Sequence, residues 1–187
     1  MRLPYTFFVI HLVLAAAAGA DDKPIAIGSR LELMIDDHLI ESFQGDARQQ
    51  LHHPVAREIA LNHDAPWEGS GSGYHTVFRD GDLYRMYYRG AQYNIVNGKL
   101  REGHPQVTCY AESRDGIHWE KPKLGLFDFE GSKENNIIWA GDRATHNFAP
   151  FKDTRPDVPA DERYKAFAYA AKGRGLGVLA SADGIRW

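Results

Sequence analysis

The side chains in this sequence that could do chemistry are carboxylates and imidazoles set beside aromatic rings. In Pro66-Trp67-Glu68-Gly69 an acid follows a large flat indole. Such a face packs well on the apolar C–H face of a pyranose, and hydrolysis of a glycosidic bond needs two carboxylates, one as acid and one as base or nucleophile. Tyr74-His75 and His146-Asn147 supply groups that bond sugar hydroxyls or a bound ion, and Asp142 and Arg143 precede the second pair. Asp36-Asp37-His38 is a further acidic cluster, whose aspartates either face a channel or cap a turn. Asp153 follows Phe151-Lys152.

Other chemistries are poorly represented. No Gly-x-Ser-x-Gly elbow occurs, and Cys109 has no evident base partner. Gly69-x-Gly71-x-Gly73 and Gly173-x-Gly175-x-Gly177 lack the Lys-Ser/Thr and the strand-to-helix setting of phosphate loops. His52-His53 and His63-Asp64 lack metal-ligand spacing, so no metal site and no cofactor is expected.

These groups must be positioned by 187 residues of ordinary globular composition, 43% apolar, with a net charge of −3. That balance carries no nucleic-acid footprint. A single cysteine excludes an internal disulfide framework. The 18 glycines and 22 aromatic residues (9 Tyr, 9 Phe, 4 Trp) suit a turn-rich, all-β protein. Residues 1–20 read as a signal peptide: Arg2, an apolar stretch from Phe7 to Ala18, then Ala18-Gly19-Ala20 as cleavage site. The expected mature chain has 187 − 20 = 167 residues and is secreted or periplasmic, with no membrane span.

Residues 21–72 are expected to hold a lead-in strand, from the alternation of Leu31, Leu33 and Ile35, followed by turns and extended chain. From Gly73 onward the sequence repeats itself. Phe78-Arg79-Asp80 corresponds to Phe151-Lys152-Asp153 at an offset of 73, and Tyr84–Tyr88 to Tyr164–Ala168 at 80. Ser113-Arg114-Asp115-Gly116-Ile117-His118-Trp119 corresponds to Ser181-Ala182-Asp183-Gly184-Ile185-Arg186-Trp187 at 68. Each copy predicts four strands: Tyr74–Phe78, Tyr84–Tyr88, Val107–Ser113 and one from Ile117; then Phe148–Phe151, Tyr164–Tyr169, Leu176–Ser181 and one from Ile185. Gln92–Gln106 is an insertion in the first copy only. Repeated four-stranded units closed by an Asp-Gly hairpin fit propeller blades, the first over 73–125 and an incomplete second over 126–187. Two blades do not close a ring, so the sequence reads as the N-terminal piece of a longer propeller.

The paired Tyr-x-Met/Phe-x-Tyr strand and the Ser-x-Asp-Gly-x-x-Trp hairpin resemble the five-bladed propeller glycosidases of the invertase, levansucrase and arabinanase superfamily. The stretch from Leu31 to Trp187 is similar to secreted bacterial proteins described as glycosyl-hydrolase-like propellers. The resemblance implies a carbohydrate-active protein acting on an extracellular polysaccharide or oligosaccharide, with acids on inner strands around a central channel. It admits a channel ion such as Ca2+, which no residue pattern here indicates. The place where the first inner-strand acid is implied holds Ser72-Gly73, so Glu68 becomes the candidate, with Asp153 and Asp37. Asp153 resembles the transition-state aspartate of the family, yet the repeat pairs it with Asp80 of a hairpin. Trp67, Tyr74, His75, His146 and Asn147 are then the expected sugar contacts. With further acids expected beyond Trp187, these residues alone would be inactive. The alternative is a non-catalytic propeller that binds glycans or protein, which the missing acid favours.

Overall fold

The computed structural model describes residues 24–170 and 175–187. The predicted signal peptide lies outside them. The chain divides into two compact units, Met1–Val55 and Ala56–Trp187.

In the described part of the first unit there is no helix or strand. The predicted lead-in strand is therefore not formed, and Leu31, Leu33 and Ile35 are exposed. Alternation marks which face a strand could bury, but the ladder also needs a second edge for its N–H and C=O groups. None of the described residues of this unit supplies one. The chain turns at Asp36, whose Oδ1 accepts from His38 N–H at 3.0 Å, and Asp37 is exposed beside it.

The second unit is all antiparallel β. Its first sheet contains β1 (Gly73–Asp80), β2 (Leu83–Gly90), β5 (Val107–Ser113) and β6 (Ile137–Ala140), in the order β1-β2-β5-β6. A separate hairpin, β3 (Tyr93–Val96) and β4 (Lys99–Glu102), fills the insertion of the first repeat. The second sheet is β7 (Ala149–Lys152), β8 (Tyr164–Tyr169) and β9 (Leu176–Ser181). A 3-10 turn, Arg143–Thr145, joins the sheets, capped by Asp142.

The second and third strands of both repeats lie where the sequence predicts them. The fourth does not. Instead of a strand from Ile117, the first sheet is completed by Ile137–Ala140, so this sheet runs past residue 125, where the predicted blade ends. The cause lies in the Asp-Gly turn. Ser113 Oγ accepts from the N–H groups of Asp115 and Gly116, and Asp115 Oδ1 accepts from those of Ile117 and His118. Those amides are spent inside the turn. Only Glu120 returns to bridge Glu112, and Pro122, with no N–H to give, cannot extend the pairing.

The second copy repeats this turn closely. Ser181 Oγ accepts from Asp183 and Gly184, and Asp183 Oδ1 from Ile185 and Arg186 at 2.8 Å each. Both tryptophans donate back to the glycine carbonyl at 3.2 Å. These hydrogen bonds hold the Asp183 carboxyl down at about 2 against the opposing effect of burial.

The two sheets pack face to face. Phe78, Tyr87 and Tyr110 of the first meet Ala166 and Ala168 of the second and Phe148, which precedes it. Alanine is a poor strand former, but two small side chains here leave room for the tyrosine rings. The seam is closed by polar contacts. Tyr87 hydroxyl donates to Gly184 O at 3.0 Å, and Arg85 Nη1 to Asp183 O at 2.9 Å. Asp80 receives Arg85 and Tyr164 at 2.6 Å each, and also Lys152. These donors hold the Asp80 carboxyl below its usual range although burial opposes them. The opposite face of the first sheet, with Met86, Tyr88 and Cys109, is covered by Trp67, Trp119 and Phe129.

Gly116 and Gly184 share a positive φ, 79° and 75°. A Cβ on Gly116 meets only the Tyr84 ring at 3.7 Å, whereas one on Gly184 meets Tyr87 hydroxyl at 2.8 Å and Arg85 Nη1 at 3.1 Å. Gly116→Ala is expected to cost about 1–2 kcal/mol through backbone strain alone. Gly184→Ala is expected to cost at least about 1 kcal/mol more, by wedging the sheets apart. Urea unfolding of the two variants measures the gap; equal costs would mean that the hairpin does not hold the sheets together.

Candidate functional site

Two groups of side chains gather at the same end of the first sheet, on opposite faces. A bulge separates them. Gly73 pairs with Arg89 and Thr76 with Tyr87, so Tyr74 and His75 together oppose Tyr88. Two residues against one re-aims side chains: His75 stacks on Tyr88, while Tyr74, at a φ of 56°, packs against Arg89 and His146. A bulky residue with positive φ is strained. Its repeat equivalent, Asn147, has a φ of 59°.

On the first face Glu68 is enclosed, its side chain fully buried. It accepts from Ala65 N–H at 3.0 Å, Tyr88 hydroxyl at 2.5 Å and Lys121 Nζ at 2.6 Å. Trp67 donates its indole N–H to Asn136 Oδ1 at 2.7 Å, and Asn136 in turn donates to Tyr88 hydroxyl. Gly90 makes this possible, since a Cβ there would lie 2.4 Å from Trp67 O. The Trp67 ring packs edge-on to Phe129. The Trp67-Glu68 pair is thus turned inward, where it anchors the chain just before β1 on the sheet. Burial pushes the Tyr88 phenol far above its ordinary value. It does the same, with the Glu68 charge, to the Cys109 thiol, which is inert as a nucleophile.

His63 and His75 sit beside this network, Nε2 to Nε2 at 3.0 Å. Burial holds both imidazoles below their ordinary value, against the Glu68 charge for His63 and helped by His63 for His75.

The other face opens into a pocket of about 660 Å³ between the sheets, within the size range of small-ligand sites. Glu102 and Gln106 reach it from the β3-β4 insertion, Asp142, Arg143 and His146 from the connection to the second sheet, and Tyr169 from the end of β8. His146 stacks on Tyr169 with ring centroids 5.6 Å apart, and the Arg143 guanidinium lies 5.3 Å from the Tyr169 ring. His146 Nδ1 lies 3.0 Å from Gln106 Oε1 and 3.2 Å from Arg89 Nη1. Burial, then the Arg89 charge, holds the His146 imidazole low, with Glu102 opposing. Asp142 Oδ1 accepts from Trp139 and Ala144, and Glu102 Oε1 from Gln106. Among the described residues each of these carboxylates keeps its second oxygen without a partner.

Of the residues singled out from sequence, Asp142, Arg143 and His146 line this pocket, Tyr74 packs against His146, and Trp67, Glu68 and His75 lie across the sheet. Asn147 is exposed in the turn before β7. Asp153 sits at the far end of β7, clamped by Arg155 at 2.9 Å and Lys165 at 2.7 Å, which hold its carboxyl far below the usual range. Asp37 lies in the other unit. Sequence reasoning missed Glu102, Gln106, Arg89 and Tyr169. The repeat carried a signal for two of them, since Arg89 and Tyr169 are equivalent at the offset of 80. Glu102 and Gln106 lie in the insertion of the first copy, which has no counterpart in the second to mark them.

No protein-family model matches the chain, and no solved structure matches it. It is 39% identical over 131 residues to the uncharacterized proteins MT1551 and Rv1502 of Mycobacterium tuberculosis, strains CDC 1551 / Oshkosh and ATCC 25618 / H37Rv. The aligned stretch is 69% of this chain and 36% of each relative. The chain thus spans about a third of the length of the curated relatives it matches. Among the described residues no helix is long and apolar enough to cross a membrane.

The lowered imidazoles fix a sign for the pH dependence. Just below about pH 6.5 the unfolded chain takes protons that folded His63, His75 and His146 refuse. Stability from these groups is complete above that pH and is lost as the pH falls. His118, raised by Asp115, works in the opposite sense. His75→Gln is expected to flatten the fall in unfolding free energy between about pH 6.5 and pH 5. An unchanged slope in urea titrations would contradict the assignment.

Proposed function

We propose that this chain is a glycan-binding portion of a secreted five-bladed propeller protein resembling glycoside hydrolases, with the inter-sheet pocket as its sugar site. The observation that carries this reading is the make-up of the pocket. An aromatic ring, Tyr169, is flanked by Arg143, His146, Gln106 and Asp142 around one open volume. Sugars present hydroxyls that need such mixed donors and acceptors, and C–H faces that pack on aromatic rings.

The propeller reading is supported by the way the sheets repeat and stack. The first sheet is a meander, and the chain leaves its last strand, β6, to enter the first strand of the next sheet. Phe78, Tyr87 and Tyr110 are covered by the second sheet, while their repeat equivalents Phe151, Phe167 and Val178 are exposed. A head-to-tail contact of this kind leaves each sheet able to receive another like it.

Hydrolysis at this site would draw on the free oxygens of Asp142 and Glu102, the two acids that face the pocket. Glu68, saturated by Tyr88 and Lys121, would serve by holding the sheet edge in place.

Calorimetric titration of the full chain with a panel of pentose and hexose oligosaccharides tests the reading. At least one is expected to bind. Tyr169→Ala is expected to weaken that binding about five-fold through the lost stacking face, and Arg143→Ala about ten-fold. Release of reducing sugar that Asp142→Asn abolishes would assign hydrolysis to the pocket. Absence of binding across the panel, or binding that both substitutions leave intact, would overturn the proposal.

A further inference from the structure

We propose that His63 and His75 form a two-imidazole chelate for a divalent late transition-metal ion, Cu2+ or Zn2+, on the face of the first sheet away from the sugar pocket. The proposal stands independently of the pocket's role. The two Nε2 atoms are 3.0 Å apart. With metal–nitrogen bonds of about 2.0–2.1 Å, that spacing subtends roughly 90° at a shared ion, the cis edge of a tetragonal or octahedral site and within small adjustment of a tetrahedral one. The rings are tilted 36° to one another.

Both rings are held in place before any ion arrives. His75 stacks on Tyr88 at 20°, and the His63 centroid lies 5.0 Å from that of Tyr88. The β1 bulge that aims His75 at this face is what brings it to His63, twelve residues upstream. Because the pairing comes from tertiary placement, no short ligand spacing betrays it in the sequence.

A second observation points the same way. His63 Nδ1 is buried and has no hydrogen-bond partner. It lies 3.9 Å from Glu68 Oε1. A histidine that ligates through one nitrogen commonly turns its other N–H toward a carboxylate. Ligation through Nε2 would place the proton on Nδ1, facing Glu68, and give this atom its electrostatic partner. Glu68 and Asp64 favour a cation here, and Lys121 opposes it. Among the described residues no group of three or more His, Cys, Asp or Glu gathers. The ion would therefore keep water in its remaining positions and stay open to exchange.

The test uses the full chain carrying His52→Gln and His53→Gln, which removes the adjacent exposed pair. Cu2+ is followed by electron paramagnetic resonance and Zn2+ by calorimetry. One equivalent is expected to bind, with splitting from two nitrogens, and His75→Gln is expected to weaken it at least ten-fold. Unchanged affinity and spectrum in His75→Gln would overturn the proposal. If that variant fails to fold, the unsubstituted chain answers instead. Trace Cu2+ is expected to broaden the ring-proton resonances of His63 and His75 first, and broadening of other histidines with these two left sharp would overturn it.

Discussion

Tyr87 and Arg85 reach from the middle of one sheet to the carbonyls of a hairpin that belongs to the next. Much of this molecule depends on that hold. Tyr87 is buried, its phenol pushed up by burial in a place where only a hydrogen bond makes its hydroxyl tolerable. Gly184 O is that partner. The hairpin can offer its carbonyl because Ser181 and Asp183 have already satisfied its N–H groups. A local turn motif thereby becomes a docking device, and Asp80, gathering Arg85, Lys152 and Tyr164, secures the same end of the seam.

The pocket is a consequence at the opposite end. Its walls come from three places: Glu102 and Gln106 from the β3-β4 insertion, Asp142, Arg143 and His146 from the connection between the sheets, and Tyr169 from the end of β8. The left-handed conformations at Tyr74 and Asn147 fall at this end too, at equivalent positions of the repeat. At Tyr74 a bulky side chain is strained there, whereas asparagine adopts this conformation readily.

The legible part of the fold was local. Tyr84–Tyr88 announces a strand through its aromatic content, Leu176–Ser181 through its place in the repeat, and Asp-Gly marks the turns. What escaped was decided by partners. Leu31–Ile35 alternates like a strand but has no second edge among the described residues of its unit. Ile117 follows a turn like a strand, but Asp115 had claimed its amide. Ile137–Ala140 is short, and only the exposed edge of β5 makes it a strand. At the site, Trp67-Glu68 looked like a sugar platform beside an acid. Spacing could not reveal that Lys121 and Tyr88 would close over the carboxylate. Nor could it reveal that one extra residue in β1 would send Tyr74 and His75 to opposite faces.

Hydrogen exchange on the full chain carrying Tyr87→Phe tests the central dependence most directly. The substitution keeps the ring and removes only the hydroxyl that reaches Gly184, a loss of about 1 kcal/mol. Protection of the amides in β8 is expected to fall together with that of β2, by a similar factor of about five, since the sheets open as one unit. Full protection retained in β8, with the loss confined to β2, would contradict the claim that one sheet is held in place by the other.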